Sequence, residues 1–193
     1  IALIGSSGKV CRHLHIPLQS GDDGILAAMR RNYDASFFRE LVAKLCNAIP
    51  GIAIGIDVMA GYPGETEEAF ENTLRLAEEL PVAYLHVFPY SRRPGTPAAT
   101  LAGQVSEEAK KGRAERLRTA GALKRRTFAE GFIGRPLDVL VEGRIDEETA
   151  MPIGFSDNYI PVVVRGQVAA NRIYRVIPSA FRDGRLIGDA VHP

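Results

Sequence analysis

The sequence predicts an α/β fold followed by a small all-β barrel, and three observations carry that prediction. Strand-like runs at 13–18, 52–60 and 82–90 alternate with stretches of helical periodicity, the order that builds βα units and a parallel sheet. The run 52–60 is nearly continuous in apolar residues, the mark of a strand covered on both faces. From Gly131 the pattern changes to short alternating runs at 136–142, 159–165, 172–178 and 185–191, separated by Gly, Asp and Pro.

The elements follow in order. Ile1 to Gly5 reads as the end of a strand, and hence as the interior of a longer chain. After the run at 13–18, Ile25, Leu26 and Met29 recur at helical spacing behind Asp22, a natural N-cap. Ser36 is expected to cap a second helix with Phe37, Phe38, Leu41, Val42 and Leu45 on one face, stopped by Pro50-Gly51. Thr66 precedes a helix whose first turn carries Glu67 and Glu68, favourable against the helix dipole; Pro81 ends it. Residues 106–130 hold eight Lys/Arg against four Glu with few helix breakers, a basic helix capped by Ser106. The chain therefore divides into an α/β part (1–105), a linker helix (106–130) and a β-barrel (131–193).

Composition limits the possible partners. The 193 residues suffice for one domain or one and a half. A net charge of +1 makes any polyanion-binding surface a local matter. No apolar run approaches the ~20 residues that cross a bilayer, and the start lacks the basic region of a secretion signal. Cys11 and Cys46 are the only cysteines, which suggests a reducing, cytoplasmic setting and too few thiols for an iron–sulfur cluster.

Alternation along each strand sorts the side chains onto two faces. One is aliphatic. The other gathers His13, His15, Pro17 and Gln19 from the first run, Gly55, Asp57 and Met59 from the second, and Tyr84, His86 and Phe88 from the third. The polar or special-backbone stretches Gln19-Ser20-Gly21, Gly61 to Glu65 and Ser91 to Thr96 fall at strand ends, where barrel sites form. Interior histidines are more often hydrogen-bonded core residues than ligands. Three in one lumen nonetheless admit a metal-dependent hydrolase in which His13, His15, Asp57 and His86 hold a divalent ion.

Longer phrases carry a resemblance. Cys11-Arg12-His13-Leu14-His15-Ile16-Pro17-Leu18-Gln19-Ser20-Gly21, Gly61-Tyr62-Pro63-Gly64-Glu65-Thr66, and His86-Val87-Phe88-Pro89-Tyr90-Ser91 with Arg93-Pro94-Gly95-Thr96-Pro97 are similar to the radical S-adenosylmethionine (SAM) methylthiotransferases. In wording they are nearest the subgroup acting on threonylcarbamoyladenosine in tRNA. The resemblance implies that the α/β part is the C-terminal half of a six-unit (β/α) partial TIM barrel, and that 131–193 is a TRAM-like RNA-binding barrel. It implies a SAM site that includes Gln19, Ser20, Asp57, the turn Gly61, Pro63, Gly64 and Glu65, and the strand segment Val87-Phe88. Arg30 either pairs with the methionine carboxylate or is a solvated helix-end charge. The family uses two 4Fe–4S clusters, and its three-cysteine CxxxCxxC loop is not among these residues. The chain is thus expected to hold no cluster, to lack activity alone, and to depend on a missing N-terminal portion of the same enzyme.

A tRNA partner is expected to meet the basic helix and the barrel. The candidate phosphate contacts are Lys110, Lys111, Arg113, Arg116, Arg165, Arg172 and Arg175. The barrel has seven Arg against eight acidic residues, so contact is confined to one face.

Overall fold

Side-chain caps close the first turns of the helices that cover the α/β half. In the computed structural model, which describes residues 1–191, strand β1 (His13–Gln19) is followed by helix α2 (Asp23–Ala28), the first helix α1 being Ala2–Ser6. The Asp22 carboxylate accepts from the Ile25 amide at 3.0 Å to open α2. Helix α3 (Ala35–Ala48) opens on Asp34, whose Oδ1 accepts from the Phe37 amide at 2.7 Å. Ser36, the expected cap, lies inside the first turn; an aspartate two positions earlier supplies the acceptor. Strand β2 (Ala53–Ala60) leads to α4 (Glu67–Glu79), capped by the Thr66 hydroxyl on the Ala69 amide at 3.1 Å. Strand β3 (Tyr84–Pro89) is followed, after a short 3-10 turn at Pro97–Thr100, by α5 (Glu107–Glu130). The Ser106 hydroxyl accepts from the Ala109 amide at 3.2 Å, so this cap stands as read.

The three strands form one sheet in the order β1-β2-β3, with β2 and β3 parallel and Asp57 opposite His86. Leu18, Ile54, Ile56, Val58 and Leu85, the aliphatic face, are buried, as are Phe38, Val42 and Leu45 of α3 and Phe70, Leu74 and Ala77 of α4. Phe37, read as part of the buried face of α3, is exposed. Glycine sets two close approaches here. A Cβ on Gly21 would stand 2.7 Å from the Thr73 Cα of α4, and one on Gly121 of α5 would stand 3.1 Å from the Leu85 Cβ. α5 therefore lies against β3 along a side that has no side chain at that point.

Ala2–Ser6 is helical, not the end of a strand. A five-residue apolar run has no period long enough to distinguish the two, and here the Ser6 hydroxyl donates to the Ala2 carbonyl at 2.9 Å.

From residue 137 the chain forms a closed five-stranded barrel in the order β4-β5-β6-β8-β7: β4 (Leu137–Ile145), β5 (Pro152–Ser156), β6 (Pro161–Arg165), β7 (Arg172–Arg182) and β8 (Arg185–Val191). Pairs are antiparallel except β6 with β8. Leu137, Val139, Val141, Val162, Val164, Val176 and Leu186 fill it, with Ala129 and Phe132 from just before the barrel. β5 was not visible in the sequence, because Pro152 and Gly154 read as turn residues. Gly154 instead permits close packing: a Cβ there would sit 2.1 Å from the Leu140 carbonyl oxygen. Gly188 has the same role against Ile177.

The chain separates into two compact units. One comprises 14–47 and 54–124. The other comprises 1–13, 48–53 and the chain from 125 onward, including the barrel. Its early segments are bound by long-range polar contacts. Arg12 forms two bonds to Asp157 at 2.6 and 3.0 Å and one to the Pro50 carbonyl, and Asn158 donates to the Gly51 carbonyl at 3.1 Å.

Candidate functional site

The polar face of the sheet carries the densest group of functional side chains. Nε2 of His15 lies 2.7 Å from Oδ1 of Asp57, and Nδ1 of His86 lies 3.7 Å from the same oxygen. The Tyr84 hydroxyl is 3.2 Å from Nδ1 of His15. The imidazole rings of His15 and His86 are 4.7 Å apart. Tyr84 reaches this position because Gly55, its partner in register, has no side chain; a Cβ there would be 2.2 Å from the ring. Alternation had put Tyr84 on this face without a task, and its hydroxyl contact to His15 is the part that sequence reasoning missed. His13 stands apart from this group. Its ring stacks on Tyr159 at 4.7 Å, so the four-residue metal set expected from the sequence shrinks to His15, Asp57 and His86.

Beyond this group, toward the strand ends, the predicted cofactor residues divide. Gln19 ends β1 with φ 68° and is half-buried; Val87 is half-buried and Phe88 exposed on β3. Arg30 ends its turn at φ 57° and is exposed. Pro63 is buried, and Gly64 is exposed at φ +87° with open space where a Cβ would stand. Pro63 and Gly64 also line an open cavity of about 440 Å³ with Asp22, Ile25, Thr66 and Asn72.

Three expected cofactor contacts have internal duties instead. The Ser20 hydroxyl is buried, 3.1 Å from the Thr73 hydroxyl, and accepts from the Asp22 amide, so it ties the end of β1 to α4. Gly61 (φ +79°) makes room for Lys110, whose Cγ would lie 2.3 Å from a Cβ there; that space is occupied by a lysine stem, not left for a nucleoside. Glu65 is buried, accepting from the Gly61 amide at 2.7 Å and from Arg113 at 2.8 Å. Burial pushes its carboxyl above the usual range, against the pull of the Gly61 amide and the Arg113 guanidinium. Two buried atoms here, Oε1 of Glu65 and the Tyr90 hydroxyl, have no hydrogen-bond partner among the described residues.

The cations of α5 are likewise redirected. Lys110 is buried, its ammonium 2.8 Å from Glu107 and 5.2 Å from the Tyr90 ring centre. Arg113 is buried between Glu65 and Glu67, and Arg116 bonds Glu67 and Glu71. These three were expected to face RNA. Arg113 and Arg116 hold α5 against α4, because the acidic first turn of α4 offers partners at short range, while Lys110 pairs within α5 itself. On the barrel, Arg165 pairs with Asp189 at 2.6 Å and Arg175 with Asp138 at 3.4 Å. Lys111 and Arg172 are exposed. Tyr159 is exposed, and its ring stacks with Phe155 at 5.0 Å and with His13 at 4.7 Å.

No helix among the described residues is long and apolar enough to cross a membrane. Cys11 is exposed, and Cys46 donates toward the Pro81 carbonyl with its pKa raised by burial.

Comparison with known proteins fits this layout. A family model described as the Radical SAM superfamily matches residues 1–77. The chain is 41% identical over 168 residues to the threonylcarbamoyladenosine tRNA methylthiotransferase MtaB of Bacillus subtilis, covering 86% of this chain and 37% of that protein. It is 39% identical over 184 residues to the MtaB of Rickettsia prowazekii, covering 95% of this chain and 42% of the relative. It is 48% identical over 153 residues to the tRNA-2-methylthio-N(6)-dimethylallyladenosine synthase of Thermobifida fusca, covering 76% of this chain and 30% of the relative. Among solved structures it resembles coproporphyrinogen III oxidase (HemN) of Escherichia coli, a radical SAM enzyme, with a TM-score of 0.51 at 21% identity over 58% of this chain and 27% of that one. The chain belongs to the radical SAM superfamily. Within it, the chain is MtaB-like, and it spans well under half the length of the curated relatives it matches.

Proposed function

We propose that these residues are part of a radical SAM tRNA methylthiotransferase that adds a methylthio group to C2 of N6-threonylcarbamoyladenosine at position 37 of tRNA. The observation that carries the choice of substrate is the polarity of the open sheet face, where His15, Tyr84, Asp57 and His86 stand together. A threonylcarbamoyl group brings a carboxylate, a hydroxyl and a urea-like N–H, each able to pair with this set. A dimethylallyl group is hydrocarbon; seating it here would leave desolvated polar groups unpaired, at about 1–3 kcal/mol each. Two relatives named for threonylcarbamoyladenosine support the same choice, although the T. fusca relative is named for the other nucleoside.

Bound SAM, together with a 4Fe–4S cluster that would cleave it reductively, would supply the radical chemistry needed at an unactivated C–H. Gln19, Val87 and Phe88 are the residues here that would meet SAM. The cluster itself does not fit these residues, which have two cysteines far from suitable spacing. In this reading both clusters belong to another portion of the enzyme, and the 193 residues alone are inactive. The barrel serves as a TRAM-like RNA-binding module, with Arg172 and Tyr159 as its exposed contacts.

The test is deletion of the encoding gene followed by mass spectrometry of digested tRNA. The expected result is loss of the 2-methylthio form of threonylcarbamoyladenosine, with the dimethylallyl-derived nucleoside unchanged. Loss of the dimethylallyl-derived product alone, or no change in either, overturns the proposal.

A further inference from the structure

We propose that His15, Asp57 and His86 form a binding site for a divalent transition-metal ion on the open face of the sheet. The three side chains come from three adjacent strands: Asp57 of β2 is in register with His86 of β3, and His15 reaches the same carboxylate from β1. Both imidazoles aim a nitrogen at a single oxygen, Oδ1 of Asp57, at 2.7 and 3.7 Å. One ligand atom from each residue lies within 4.8 Å of the other two. Metal bonds of about 2.0–2.2 Å draw such atoms closer together than this. His86, whose side chain is 50% exposed, is the member able to turn inward.

The donor chemistry fits a definite class of ion. Two neutral imidazoles and one carboxylate suit zinc, iron, cobalt or nickel, and they suit magnesium and calcium poorly. Three protein ligands leave a coordination position open, as in sites that engage a further ligand. An outer partner is in place: the Tyr84 hydroxyl at Nδ1 of His15 holds the ring so that Nε2 faces Asp57. Side-chain exposures of 30% for His15 and 26% for Asp57 leave the ion a path from solvent. The site stands on this geometry alone, whatever nucleoside the enzyme modifies.

The test is titration of the 193-residue chain with Co²⁺, then Zn²⁺, in a Cys11→Ser/Cys46→Ser background that removes thiolate competitors. One Co²⁺ per chain is expected, with the intense visible absorption of a low-coordinate site, displaced by one Zn²⁺. Asp57→Asn and His86→Phe should each weaken binding at least about tenfold, and Tyr84→Phe about tenfold with stoichiometry kept. In the unsubstituted protein, Co²⁺ should broaden the imidazole NMR signals of His15 and His86 before those of His13, a readout independent of any variant's folding. Broadening that spares His15 and His86, a spectrum that stays that of the hydrated ion, or unchanged affinity in a folded Asp57→Asn protein overturns the proposal.

Discussion

Replacing Arg113 by Met tests the reading that α5 is held by buried charge pairing and does not present that charge to RNA. Arg113 donates to Glu65 Oε2 at 2.8 Å and to the Glu65 carbonyl at 3.0 Å, and to Glu67 Oε2 at 3.0 and 3.3 Å. The Glu67 side chain is 64% exposed, so that half of the interaction contributes at most about 1 kcal/mol. The Glu65 side chain has no exposed surface, and stripping its partner leaves a buried carboxylate unpaired, at about 3–5 kcal/mol. With a urea slope of roughly 2 kcal/mol/M, the midpoint should fall by ~1.5–2.5 M. The chain has no Trp, so the melt is followed by circular dichroism. The loss should depend on pH. Glu65 in the folded protein already titrates above its ordinary 4.5, so the native state keeps a proton that the unfolded chain releases. Stability therefore falls as pH rises through that window and levels above the folded value. Losing Arg113 moves the folded value further up, so acid should rescue the variant, with a smaller deficit near pH 5 than near pH 7.5. Arg113→Met/Glu65→Gln should recover most of the loss, since Gln retains an acceptor for the Gly61 amide. A midpoint within about 0.3 M of the parent, or a deficit equal at both pH values, refutes the reasoning.

Gly154→Ala should cost about 3 kcal/mol or more and loosen the β4–β5 pairing, because its Cβ meets backbone that cannot move aside; unchanged amide exchange in β4 and β5 would contradict this. Thr66→Ala should cost about 1 kcal/mol through loss of the α4 cap, read from the same urea melts, and no loss would show the cap to be idle. Asp146, held below its ordinary 3.8 first by the Thr149 hydroxyl and also by Arg185, stabilises the barrel at neutral pH and loses that contribution as pH falls below 3.8. Asp146→Asn should therefore have a shallower acid limb, and identical limbs would argue against the contribution. Purified 193-residue protein reconstituted with iron and sulfide should hold no stoichiometric cluster; a chromophore with matching acid-labile sulfide would overturn that.

Features decided within a few residues were legible in the sequence. Asp22, Thr66 and Ser106 cap helices as read, because an N-cap hydrogen bond closes over three residues and depends on little else. Strand alternation placed His15, Asp57 and His86 on one face, since that period belongs to the extended backbone. Where two local solutions competed, the sequence misled: Ser36 reads as the cap of α3 where Asp34 supplies the acceptor, and Ile1 to Gly5 reads as a strand end where Ala2–Ser6 is helical.

Close approaches and charge pairing were decided only in the tertiary structure. Gly154 looks like a turn residue until Leu140 stands 2.1 Å from where its Cβ would be, and Gly61 looks like a ligand cradle until Lys110 fills it. His13 shares a strand face with His15, yet its ring is taken up by Tyr159. Composition established that residues 106–130 are basic, and the scarcity of helix breakers that they are helical. Which of those cations meet solvent depends on partners 45 to 49 residues away on α4, and only packing brings α4 within hydrogen-bond reach. A charge's partner is set by distance in space, and a sequence records distance only along the chain.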